Sequence, residues 1–152
     1  MKQKILVLVV FFIAMVAYGQ DASKVTEILE APQLTTGHVA YVAACWIDTT
    51  NETVDFQQAT KLMISQGLLK EGAQSNDPIR LDELAGLCMK AWNIPGGLLY
   101  RITKADRYAF KELKALNYFS ANADPAFSVT GSQGMDILFK CMEYNTSAFA
   151  TE

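Results

Sequence analysis

Asp77-Pro78-Ile79-Arg80-Leu81-Asp82-Glu83-Leu84-Ala85-Gly86-Leu87-Cys88-Met89-Lys90-Ala91-Trp92 is the stretch on which the fold turns. Proline biases Asp77 away from helix, Ile79 supplies an apolar anchor, and Asp82 and Glu83 suit the positive end of a helix that starts just after it. Leu84, Leu87, Cys88 and Ala91 then recur at the spacing of one helical face. The phrase returns fifty positions later as Val129-Thr130-Gly131-Ser132-Gln133-Gly134-Met135-Asp136-Ile137-Leu138-Phe139-Lys140-Cys141-Met142. A weaker copy lies earlier, from Leu34 to Trp46. Self-similarity at such a period marks stacked units that bury their apolar faces against one another.

The segments between these phrases match as well. Val54–Gln66 reads as a helix with Phe56, Ala59 and Met63 inward, and Asp106–Leu116 is its counterpart. Gly67, placed to end the first of these in a left-handed conformation, is matched by Asn117, the next-best residue there. Thr130-Gly131-Ser132-Gln133 has the form of a capping box. Val39, Val42, Ala43 and Trp46 are expected on the inner face of the first repeat helix, and Val25, Ile28 and Leu29 on a small face of the preceding segment. Leu98–Thr103 reads as a short strand or extended crossing, and the chain after Tyr144 as a frayed tail. The expectation is an all-α single domain of stacked helix–loop–helix repeats, with one partial unit (34–46) and two full units (54–92 and 106–144).

Composition places this domain outside the cytoplasm. Lys2 and Lys4 precede an unbroken apolar run, Ile5 to Val16, and small residues at Ala17 and Gly19 suit a signal peptidase. Residues 1–19 are therefore expected to be a cleaved signal peptide, and 20–152 the mature domain. The run is too short to span a bilayer, so no stable membrane insertion after cleavage is expected. Removing Lys2 and Lys4 from the 13 basic residues leaves 11 against 16 acidic ones, a net charge of −5. That balance, with no basic cluster apparent in the sequence, argues against nucleic acid and against anionic lipid as partners.

Catalytic and metal chemistry find little support. Cys45, Cys88 and Cys141 fall among apolar neighbours, where buried, unreactive thiols are expected. An odd number allows at most one internal disulfide. The single histidine, His38, lies two turns from Cys45, about 10 Å by helical rise, and is expected to face solvent or cap its helix. No phosphate loop, nucleophile elbow, zinc motif or calcium loop is present. The chain is therefore read as a non-enzyme with no cofactor and no metal. Candidate ligand-binding residues are Trp92, Tyr100, Arg101, Arg107, Tyr108 and Glu83, grouped around the central crossing between the two full units.

These motifs resemble those of the S-layer homology domain of bacterial envelope proteins. Tyr108-Ala109-Phe110-Lys111-Glu112-Leu113-Lys114-Ala115-Leu116 is similar to the first helix of that family, and Gln66-Gly67-Leu68-Leu69 to the turn that follows it. Ile79-Arg80-Leu81-Asp82-Glu83-Leu84-Ala85 and Val129-Thr130-Gly131-Ser132-Gln133 resemble the start of its second helix. Leu81 and Gly131 stand where the family has arginine; Glu83 keeps the acidic place and Gln133 does not. The resemblance implies an exported protein of the bacterial periplasm, envelope or cell surface. Its expected partner is cell-wall polysaccharide or an envelope protein. A structural or assembly role through an exposed helix face is the alternative.

Overall fold

The computed structural model describes residues 22–47 and 54–149, with side chains as far as Tyr144. The expected signal segment lies outside the described residues. Seven helices and no strand make up the described chain: α1 (22–30), α2 (Thr36–Ile47), α3 (Phe56–Ser65), α4 (Leu81–Ala91), α5 (Leu98–Thr103), α6 (Asp106–Ala115) and α7 (Gly131–Phe149). The domain is all-α.

Local chemistry explains most of the boundaries. Asp55 caps α3, its carboxylate accepting the Gln58 N–H at 2.7 Å while Gln58 returns a bond to the Asp55 N–H at 3.0 Å. The expected box at α7 forms too: Thr130 Oγ1 accepts from Gln133 N–H (3.4 Å) and Gln133 Oε1 from Thr130 N–H (3.2 Å). At α4, Glu83 reaches back to the Arg80 N–H at 3.4 Å. After α3 the chain reverses through Gly67 (φ 71°), and after α6 through Asn117 (φ 60°). In both, the next residue's N–H returns to the buried residue of the last turn, Leu68 to Met63 at 2.9 Å and Tyr118 to Leu113 at 3.0 Å.

The first turn of a helix leaves N–H groups without intrahelical partners. In α2, α4 and α7 these are met by carbonyls of neighbouring loops. Thr36 donates to Asp77 (2.9 Å), Leu81 to Phe127 (2.8 Å) and Gly131 to Ala31 (2.9 Å). Leu34 bonds across to Val129 (2.7 Å) and Ile79 to Leu34 (3.0 Å). The three loops before these helices thus close into a ring around the buried Leu34 and Ile79. The remaining helices fill the gaps: α3 packs on α2, α6 on α4, and both α2 and α7 touch α4. α3 thus packs on the helix just before it, while α6 reaches past the short α5 to pack on α4, and α4 joins the two pairs into one continuous core.

Several expectations are corrected. Leu98–Thr103 is a helix, not a strand or extended crossing, and it is too short for periodicity to reveal. Trp46 is 40% exposed instead of lining the inner face of α2, since it sits beyond the last buried turn. In α1 only Ile28 is buried, with Val25 and Leu29 outside. Cys45 is exposed; Cys88 and Cys141 are buried as expected, and none of the three is in a disulfide. After α4 the chain turns through Asn93 in a left-handed conformation (φ 49°). The backbone stays helical from Tyr144 to Phe149.

His38 is buried, not solvent-facing, and it fills the other role expected of it by helping to cap α2, its own N–H donating to Thr35 Oγ1 at 3.3 Å. Its Nδ1 accepts the Thr35 N–H at 3.3 Å, and its ring meets Phe56 edge-on at 5.1 Å. Burial lowers its pKa from 6.5, partly opposed by Glu27. The unfolded chain then takes up a proton near 6.5 while the folded chain resists until lower pH. Stability is expected to fall as pH drops through 6.5 and to level off below the depressed folded value. Thermal melts across that window should show a slope in the wild type that His38→Gln flattens; equal slopes in the two proteins would refute it.

Candidate functional site

The central crossing expected to carry ligand residues is α5 with its flanks. Tyr100 is buried against the body of the protein, with its ring over Gly96 and the Lys104 ammonium 4.9 Å above it. Burial, with Asp106 nearby, raises the Tyr100 pKa. Tyr100 and Arg101 line an open groove of about 780 Å³ with Met89, Lys90 and the Gln66–Leu68 turn. The other candidates are not gathered there. Trp92 ends α4 inside the core, 1% exposed, and cannot face a ligand. Arg107 is exposed on α6, Tyr108 is half-buried under Lys111 at 5.6 Å, and neither lines the groove.

Glu83 lies in a second, smaller pocket of about 50 Å³ and is part of an ion cluster. Lys70 Nζ is 3.1 Å from Glu83 Oε1 and 3.0 Å from Asp106 Oδ2, and Lys90 Nζ is 4.0 Å from Asp106 Oδ1. Asp106 is held flat against α4 because Gly86 has no side chain; a Cβ there would come 2.1 Å from Asp106 Oδ1. The bond to Asp106 raises the Lys70 pKa most; desolvation opposes it, and the bond to Glu83 adds to the rise. The cluster ties the loop after α3 to α4 and α6 and fills the junction between them.

Fifty residues on, the corresponding junction is open. Ser120 takes the place of Lys70, Gln133 of Glu83 and Asp136 of Gly86, and Lys140 pairs with Asp136 on its own helix at 2.7 Å. The result is a groove of about 520 Å³ between the Asn117–Val129 loop and α7. Tyr118, Phe119 and Phe127 are its aromatic members, Phe119 buried and Phe127 67% exposed. Asp124 is committed to its own loop, accepting the Ala126 N–H at 2.8 Å. Asn117, Ser120 and Asn122 make no side-chain hydrogen bond among the described residues, which leaves amide and hydroxyl groups ready for a ligand. This groove was missed from sequence, where 120–127 reads only as a loop. The signal was available in the repeat alignment, as the loss of both Lys70 and Glu83 at their matched positions.

Other chemistry has little to work with. Burial, reinforced by a hydrogen bond to Cys141, pushes the Cys88 thiol well above its ordinary range, so Cys88 is a poor nucleophile. Among the described residues no group of His, Cys, Asp or Glu is arranged to hold a metal ion, and no helix is long and apolar enough to cross a membrane. Comparison with protein-family models, curated proteins and solved structures finds no match to this chain.

Proposed function

We propose that this protein is a non-catalytic, exported interaction module that binds cell-wall glycan in the groove between the Asn117–Val129 loop and α7. The observation that carries the reading is the contrast between matched junctions. One is closed by Lys70, Glu83 and Asp106; the other keeps the same backbone but is lined by aromatic rings and unspent amide and hydroxyl groups. A sugar ring offers an apolar face to Tyr118 and Phe127 and hydroxyls to Asn117, Ser120 and Asn122, and that mixture suits a polar ligand with flat apolar faces. The S-layer-homology-like motifs and the signal-like start of the chain agree with a partner in the envelope. The arginine that the resembled family uses has no counterpart here, so the charge beside the neutral amides and hydroxyls of the groove comes from Asp124 and from the Asp136–Lys140 pair.

The mature chain, Gln20–Glu152, should pellet with purified sacculi that retain their secondary polysaccharide and stay in solution when that polysaccharide is stripped. Phe127→Ala, at an exposed position, should weaken pelleting about tenfold, the loss of one aromatic contact, with the melting temperature unchanged. Pelleting that ignores the polysaccharide, or that Phe127→Ala leaves intact, would sink the glycan reading and leave an envelope protein as the leading partner.

A further inference from the structure

We propose that the tip formed by α5 and the start of α6 docks on a bilayer surface rich in anionic phospholipid. Leu98 and Ile102 are each 71% exposed and Leu99 is 55% exposed, three large aliphatics on one six-residue helix. Helical geometry explains their arrangement. Tyr100 points into the body, so the opposite side of the helix falls between Leu98 and Ile102, with Leu99 on one flank and Arg101 on the other. The helix is about 9 Å long, enough to lie within the interfacial layer and far too short to span.

Charge selects the partner. Arg101, Lys104, Arg107 and Lys111 stand within eleven positions of one another, and among the described residues none pairs with a carboxylate. Two acids lie near them: Asp106 is already held by Lys70 and Lys90, and Glu112 sits beside Gly97 at the start of α5, so four cations face one uncommitted carboxylate. A chain that is acidic on average therefore carries a local cationic rim around an exposed apolar tip. Net charge hid this, because most of the acids lie elsewhere in the chain. A second copy docked symmetrically on the tip would bring the two cationic rims together. A glycan gains nothing from aliphatic chains that offer no flat face. An anionic bilayer satisfies both features: the aliphatics enter the acyl boundary and the cations meet headgroup phosphates.

The test is flotation of the mature chain with vesicles of phosphatidylcholine alone or of equal phosphatidylcholine and phosphatidylglycerol. Binding is expected only to the mixed vesicles and should weaken severalfold as salt is raised. Leu98→Asp with Ile102→Asp should abolish it. Arg101→Glu with Lys111→Glu should weaken it by at least tenfold, since each basic side chain is worth about fivefold at an anionic surface. Both pairs are exposed, so melting temperature and sacculus pelleting should be unchanged, which separates this site from the glycan groove. Absence of binding to the mixed vesicles would overturn the proposal. So would binding that survives the double aspartate variant, or light scattering that shows a dimer lost on the same substitutions.

Discussion

Gly131→Ala is expected to lower the melting temperature by about 10–20 °C, from a cost of about 3–5 kcal/mol in overpacking and lost backbone bonds. A Cβ at Gly131 would lie 1.6 Å from the Ile28 carbonyl oxygen and 2.8 Å from its carbon. The obstacle is backbone, so no rotamer can relieve it. Either α7 retreats from α1 or residues 22–30 lift away. Both movements strain the bond from Gly131 N–H to Ala31 and its neighbour from Leu34 to Val129, which together close the ring of loops. Ser132→Ala, one residue further on and exposed, should change stability by less than about 0.5 kcal/mol. Melting of both variants by far-ultraviolet circular dichroism decides the matter: a Gly131→Ala protein within two or three degrees of wild type would show that the ring is not a closure the fold depends on.

The same contact explains why a motif-level reading misjudges this position. In the resembled family an arginine follows the threonine of the second-helix start, and here the matched residues are Leu81 and Gly131. Leu81 is buried, and Gly131 is pressed against α1. Both positions face neighbouring segments of the domain, so neither can offer a cation to solvent.

What the sequence disclosed follows from the range of each signal. Helix starts and stops are local, and Thr130–Gln133, Gly67 and Asn117 begin or end helices as their chemistry requires; Asp55, read as part of a helix from Val54, is instead the cap of α3. The inward set of α3 and α6 was legible because 3.6-residue spacing survives in ten residues. In the six residues of α5 it does not, and Leu-Leu-Tyr-Arg-Ile-Thr has the composition of a strand. The ring of loops left no trace in side-chain pattern because it is made of backbone bonds. Which tryptophan goes inside was also beyond local reading. Trp46 and Trp92 occupy nearly matched helix ends, yet only Trp92 has neighbours on every side.

Trp92→Ala is expected to cost about 3–5 kcal/mol, the range for emptying an aromatic site in a packed core. Trp92 is among the largest fully buried side chains, its N–H donates to Cys88 O at 3.1 Å, and the chain turns sharply just after it. Collapse around the void is limited, because α4 is fixed on one side by α6 and on others by α2 and α7. Trp92→Phe should behave differently. The indole Nε1 is buried without a hydrogen-bond partner, a donor whose desolvation goes uncompensated. Phenylalanine gives up some volume and also removes that orphan donor, so its net cost should stay below about 1.5 kcal/mol. Neither variant, measured well below its melting temperature, should alter pelleting with sacculi. If Trp92→Phe instead kept its stability but lost binding, the indole would have to reach the ligand. α4 would then have to open at its C-terminal end when the glycan binds.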